Sequence, residues 1–230
     1  MNNLLEDSVF FGAFISLISY YAGCMLKKKF RHPLVNPLLI SVLVTILFLI
    51  ISKTDYDTYY EGAKYVSYFM TPATICLAVP LYEQFELLKK NIKAVSVGII
   101  SGTFAGLLSI LAMAVIFGFN HNEYVTFLPK SVTTAIGLGI SEELGGYVAI
   151  TAAVIIITGI IGNIAAEAVF KLLRINEPIA KGIALGTASH AMGTAKAMEL
   201  GEIEGAMGSL SIAVAGILTV IGATIFSHFI

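Results

Sequence analysis

Gly186–Lys196 reads GTASHAMGTAK and stands between two strongly apolar stretches. It holds two glycines, three hydroxyls (Thr187, Ser189, Thr194), the His190 imidazole and the Lys196 ammonium. A bilayer interior penalises such groups unless they face a cavity, a partner or the interface. On a continuous helix Thr187, His190 and Thr194 would share one face. Gly186, Ala188, Ala191, Gly193 and Ala195 would let another backbone come close. Two readings are open: a stretch lining a substrate site, or a tightly packed polar helix whose histidine is bonded internally.

The surroundings set the class. The chain has 230 residues, 57% of them hydrophobic and 13% charged, against about 25% charged in soluble domains. Several uninterrupted apolar runs make it an all-α polytopic membrane protein, a single transmembrane domain over residues 1–230. Its net charge of −1 comes with no basic arm, so no nucleic-acid partner is expected. Cys24 and Cys76 lie in apolar runs and read as buried thiols, not as a disulfide or metal set. Glu6 and Asp7 replace a basic leader, so Ser8–Leu26 reads as a retained first span.

Lys27, Lys28, Lys29 and Arg31 follow that span, which puts the loop in the cytoplasm and the N-terminus outside. Pro33 and Pro37 lead into a second span, Leu34–Ser52. Val66–Leu81 is interrupted by Thr71-Pro72-Ala73-Thr74 and by Pro80, which predicts a kinked or unwound third span. Ala94–Phe119 is long, and its Gly98, Gly102 and Gly106 mark a close helix–helix contact. Tyr147–Phe170 and Met207–Ile230 are further spans. The expected total is six to eight transmembrane helices, some of them broken or re-entrant.

Phe127–Gly146, FLPKSVTTAIGLGISEELGG, has only about ten apolar residues in its middle, half of what a crossing needs. Loop charges place both its ends outside, so a re-entrant hairpin is expected. For the central stretch, Ile179–Leu200, crossing and re-entry both remain open. Three stretches share a small-and-hydroxyl segment, a charged break and a glycine-rich span: MTPATICLAVPLYEQ, KSVTTAIGLGISEEL and GTASHAMGTAKAMEL. Interrupted segments in corresponding places point to a possible internal repeat and a transporter site, with half-helix N-termini turned toward an anion.

The polar groups at depth are mostly donors, which suits a small organic anion. A carboxylate wants a few N–H and O–H donors and one cation. Lys130 is the candidate cation, and His190 a candidate for binding or for carrying a proton. The candidate site is Lys130, Ser131, Thr133, Thr134, Thr187, Ser189, His190 and Thr194. HExxH, GxSxG and P-loop patterns are missing, so neither an enzyme nor a metal or other cofactor is expected.

The runs LPKSVTTAIGLGISEELGG, TGIIGN (Thr158–Asn163) and GTASHAMGTAKAMELGEIEGA resemble the LrgB/CidB membrane-protein family over essentially the whole chain. The C-terminal half of the plastidic glycolate/glycerate transporter is similar. The first motif usually has proline after its two threonines in the family; Ala135 stands there here. The resemblance implies a bacterial plasma-membrane protein and two functions. One is transport of small monocarboxylates such as pyruvate, glycolate or glycerate. The other is a holin- or antiholin-like control of murein hydrolases and cell lysis. It also implies a small LrgA/CidA-type membrane partner, and a homo-oligomer is expected in the bilayer. The carrier reading predicts that Lys130→Ala and His190→Ala abolish uptake of radiolabelled pyruvate and glycolate into liposomes at unchanged expression. Normal uptake by both variants would remove the site.

Overall fold

The computed structural model describes residues 10–30 and 35–230. The expected start of the first span, Arg31, Pro33 and Leu34 lie outside the described residues. The chain divides into two compact units, one ending at Cys76 and one from Leu77 to Ile230.

In the first unit, α1 (Phe11–Phe30) packs on α2 (Pro37–Ser52) and α3 (Tyr56–Ser67). Small residues allow it. A side chain at Gly23 would meet the Pro37 carbonyl oxygen at 2.6 Å, and one at Gly12 would collide with the Tyr59 carbonyl. Asn36 caps α2 by accepting from the Leu38 and Leu39 amides, with Pro37 in the first turn where its missing N–H costs nothing. A short α4 (Met70–Cys76) ends the unit. Cys24 is half-buried and Cys76 exposed, which corrects the expectation of two buried thiols. In a membrane protein an apolar run satisfies itself against lipid and need not turn every residue inward.

The second unit begins with α5 (Ala78–Glu83) and α6 (Phe85–Lys90). Pro72 and Pro80 fall in the first turns of α4 and α5. The expected break in the third span is present, and it comes just before each proline, where the ring is tolerated. Three long apolar helices follow: α7 (Ile92–Phe117), α10 (Val148–Leu172) and α12 (Glu202–Phe226). At 25 or 26 residues each they exceed the roughly 20 needed to cross. Residues 56–83 are also long and apolar enough by composition, and α2 is a shorter apolar helix. The chain is an all-α polytopic membrane protein.

Between the long helices lie two helical hairpins. The first consists of α8 (His121–Phe127), a turn over 128–133 and α9 (Thr134–Glu143). A side chain at Gly137 would lie 3.4 Å from the Pro129 carbonyl oxygen. Residues eight apart on one straight helix are separated by about 12 Å, so the chain has folded back on itself. Thr151 on α10 clamps the open end: its hydroxyl donates to the Thr126 carbonyl at 2.9 Å and lies 2.7 Å from the Ser141 hydroxyl. The hairpin shape expected of Phe127–Gly146 is present.

The second hairpin is α11 (Pro178–Leu200). Its helix breaks at Ser189 (φ −130°, ψ 18°) and His190 (φ 44°, ψ −133°). A side chain at Gly193 would collide with the Leu185 carbonyl, again eight residues back. Both arms also lie against the same stretch of α12. A side chain at Gly186 would lie 2.6 Å from the Gly208 carbonyl oxygen, and one at Gly208 would meet Thr194 and Ala197 of the returning arm. The central stretch therefore turns back on itself at Ser189–His190. Because α10 crosses between the two hairpins, they enter from opposite ends of the unit. Each is followed by a long helix.

One apolar cluster wraps the first hairpin (Leu107, Ile110, Tyr124, Val125, Phe226 among its members), and another lies at the opposite end (Val95, Ile99, Ile183, Met207). Gly193→Ala should destabilise the protein by about 1–3 kcal/mol, because the methyl meets backbone that has no room to yield. Gly139→Ala, with nothing within 4 Å of the new carbon, should be neutral or stabilising by up to about 1 kcal/mol. Thermal unfolding in detergent checks the opposite signs.

Candidate functional site

The turn of the second hairpin is seated on α10 by the TGIIGN run. A side chain at Gly162 would collide with the Ser189 hydroxyl, and one at Gly159 would meet the His190 ring at 2.7 Å. Asn163 Nδ2 donates to the Met192 carbonyl at 3.1 Å. The two glycines leave the space that the turn fills, and the asparagine holds the first turn of the returning arm. Residues 159–163 lie at the middle of α10, so the turn reaches about half-way along a spanning helix.

His190 is 3% exposed, and its Nε2 lies 2.9 Å from the Ile155 carbonyl oxygen. That carbonyl can only accept, so the ring donates from Nε2. Thr194 donates its hydroxyl toward the His190 carbonyl at 3.0 Å, with the Gly208 carbonyl at 3.3 Å. Thr187, buried, donates back to the Ile183 carbonyl at 2.8 Å. The helical break separates Thr187 from His190 and Thr194, which do not form the single face that a continuous helix would give.

At the first hairpin the turn carries Pro129, Lys130, Ser131 and Val132. Lys130 Nζ donates to Ser131 Oγ at 2.9 Å. Thr133 is the N-cap of α9 with an extended backbone, but its side chain makes no capping bond. The first amides of α9, beginning at Thr134, thus start at the turn without a side-chain acceptor from that cap. They bring the positive end of the helix dipole to the same place as the ammonium.

The two turns converge. A small cavity of about 10 Å³, the room of roughly one water, is bordered by Lys130 and Ser131 from the first hairpin and Thr187 from the second. Gly102, Thr103 and Gly106 of α7 and Thr219 of α12 complete its polar and small-residue wall. The Lys130 charge is also within electrostatic reach of His190. Of the eight expected site residues, Lys130, Ser131 and Thr187 meet here. Thr133 and Thr134 stand at the start of α9 beside them. Ser189, His190 and Thr194 build the neighbouring turn.

Thr103 and Thr219 escape a reading of sequence, because a lone threonine in an apolar helix looks like packing. The available signal is Gly98-Gly102-Gly106. A side chain at Gly98 or Gly102 would lie 3.3 or 2.9 Å from Ile183 or Thr187, while one at Gly106 would meet nothing within 4 Å. The first two glycines thus make the expected close contact, with side chains of α11, and Gly106 does not. A larger cleft of about 640 Å³ runs between α7 and the outbound arm of α11, from Asn91 and Glu177 to Gly102 and Thr187. Lys196 stands apart from the cavity, paired with Glu167 at 2.6 Å and Glu199 at 3.3 Å. Among the described residues, no cluster of three or more histidine, cysteine, aspartate or glutamate side chains could hold a metal.

The LrgB-like family matches this chain over residues 16–229. The antiholin-like protein LrgB of Bacillus cereus (strain B4264) is 37% identical over 222 residues, 96% of each chain. That of Bacillus anthracis (strain A0248) is similar to the same extent. No solved structure matches. Agreement over nearly the full length of chain and relatives, through both hairpins and the helices that hold them, makes this chain a member of the LrgB-like family.

Proposed function

We propose that the chain is an antiholin-like protein of the bacterial plasma membrane, modulating murein-hydrolase activity and lysis. Its support is the identity to antiholin-like relatives across 96% of both chains. The packing is compatible with a protein that restrains a lesion. The two hairpin turns plug the second unit at mid-depth, leaving room for roughly one water between them. The lysine-rich ends after α1, α6 and α10 face the cytoplasm in this reading, with the N-terminus outside. A small LrgA/CidA-type membrane protein is its partner, and copies of the chain associate in the bilayer. No covalent chemistry is assigned to it.

A second reading concerns what the same core does with solutes: it carries small monocarboxylates of the pyruvate or glycolate kind. The favouring observation is that Lys130 and Ser131 of the first hairpin and Thr187, just before the break in α11, border one small cavity. Broken helices whose ends meet at mid-depth bind ions without placing an unpaired charge in lipid. Co-expression of the chain with its small partner should slow detergent-induced autolysis several-fold in a bacterium lacking both. Gly193→Ala, which opens the second hairpin, should lose that effect. Autolysis unaffected by the chain would remove the antiholin-like reading. In liposomes holding the purified chain, saturable pyruvate uptake would support the carrier, and leak of unrelated solutes of similar size would exclude it.

A further inference from the structure

Thr103 is 8% exposed, and its hydroxyl has no hydrogen-bond partner. A buried hydroxyl without a partner is costly, and this one borders the cavity that holds the Lys130 ammonium and the Ser131 hydroxyl. A threonine in mid-helix ordinarily bonds its own helix, as Thr187 does to the Ile183 carbonyl at 2.8 Å. Thr103 forgoes that bond. Lys130, Ser131 and the unpartnered Thr103 border one small space and can all donate to an anion.

The approach to it is also built. The 640 Å³ cleft and the small cavity share two residues, Gly102 and Thr187. A side chain at Gly102 would lie 2.9 Å from Thr187 Oγ1, so these two residues are the partition between cleft and cavity. On the cleft side the wall is small and mostly apolar: Ala94, Gly98, Ser101, Ala105, Ala180 and Ala184. The cavity has room for roughly one water, so one carboxylate oxygen fits it, while the cleft has room for the rest of a short ligand.

We infer that Thr103, with Lys130, Ser131 and Thr187, forms the binding site for the carboxylate of a small monovalent anion, entered from the α7–α11 cleft through the Gly102–Thr187 partition. The ligand class rests on the carrier reading; the site and its route do not require transport.

The test uses the purified full chain and sodium pyruvate at ionic strength matched with sodium sulfate. Thermal unfolding against pyruvate concentration gives an affinity. Thr103→Val, of the same shape, should melt higher than the parent without pyruvate, because the orphan hydroxyl is gone. Its pyruvate affinity should fall about tenfold or more, the usual loss for a bond to a charged group. A purely structural threonine would give a lower melting temperature and an unchanged affinity. A second measurement uses the chain with Cys24→Ser and Cys76→Ser, adding Ala184→Cys or Thr219→Cys, the latter on the cavity wall but outside the binding set. An anionic methanethiosulfonate should modify Ala184→Cys quickly and Thr219→Cys more slowly, with pyruvate protecting only Thr219→Cys. Unchanged affinity in Thr103→Val, or no protection at Thr219→Cys, overturns the site. Pyruvate binding and protection without uptake into liposomes would leave the site standing and remove the carrier reading. Saturable uptake with unchanged affinity in Thr103→Val would do the reverse.

Discussion

The reversal at Ser189–His190 governs the second unit. His190 takes φ 44°, a region that a branched or bulky residue rarely occupies and that the surrounding structure must hold in place. The hold is visible on every side. The imidazole is tied to the Ile155 carbonyl, Thr194 donates to the His190 carbonyl, and Gly162 leaves the volume that Ser189 fills. Glycine at 193 then lets the returning arm touch the Leu185 carbonyl. Were the helix continuous, its two arms could not both pack on the 204–211 stretch of α12, and the cavity at mid-depth would lose the wall that Thr187 supplies.

The hairpins solve a problem that a bilayer imposes. Backbone that leaves a helix within lipid has no water to bond, so it survives only where protein surrounds it. Both turns obey this rule. The 128–133 turn is enclosed by α7, α10 and α12, and its Leu128, Pro129 and Val132 are buried. The Ser189–His190 turn rests on α10. The apolar faces of α7, α10 and α12 that these turns do not use are left outward, at residues such as Ile100, Phe104, Ile157, Ile161, Ile217 and Ile221. Those side chains find their apolar surroundings in lipid.

Small residues carry the specificity of this packing, each for a different neighbour. Gly159 and Gly162 make room for side chains of the turn, Gly137 for the Ile155 side chain, Gly182 and Gly186 for α12 backbone, and Gly193 for the Leu185 carbonyl of the opposing arm. Gly106 and Gly139 meet nothing. A glycine row in a membrane helix therefore has no single meaning. In the Gly98-Gly102-Gly106 series, which reads as a docking face, Gly98 and Gly102 dock side chains of α11 and also line the cleft, while Gly106 docks nothing.

Class and breakpoints were legible in the residues themselves. Apolar runs longer than a bilayer is thick read as spanning helices, and the apolar middle of Phe127–Gly146 is too short to cross as one helix, because length along an α-helix is set by its rise. The polarity of GTASHAMGTAK marked the place where the second hairpin turns. Local sequence could not say that this stretch reverses, since the reversal depends on Gly162 and Ile155 of another helix. Nor could it select Thr103 and Thr219, whose threonines resemble any others in an apolar helix until the opposing turn arrives. Only the tertiary structure brought Lys130, Ser131 and Thr187 to one cavity and set Ser189, His190 and Thr194 to building the turn beside it. Which polar groups share a space is decided by how helices distant in the chain pack, and no local pattern encodes that.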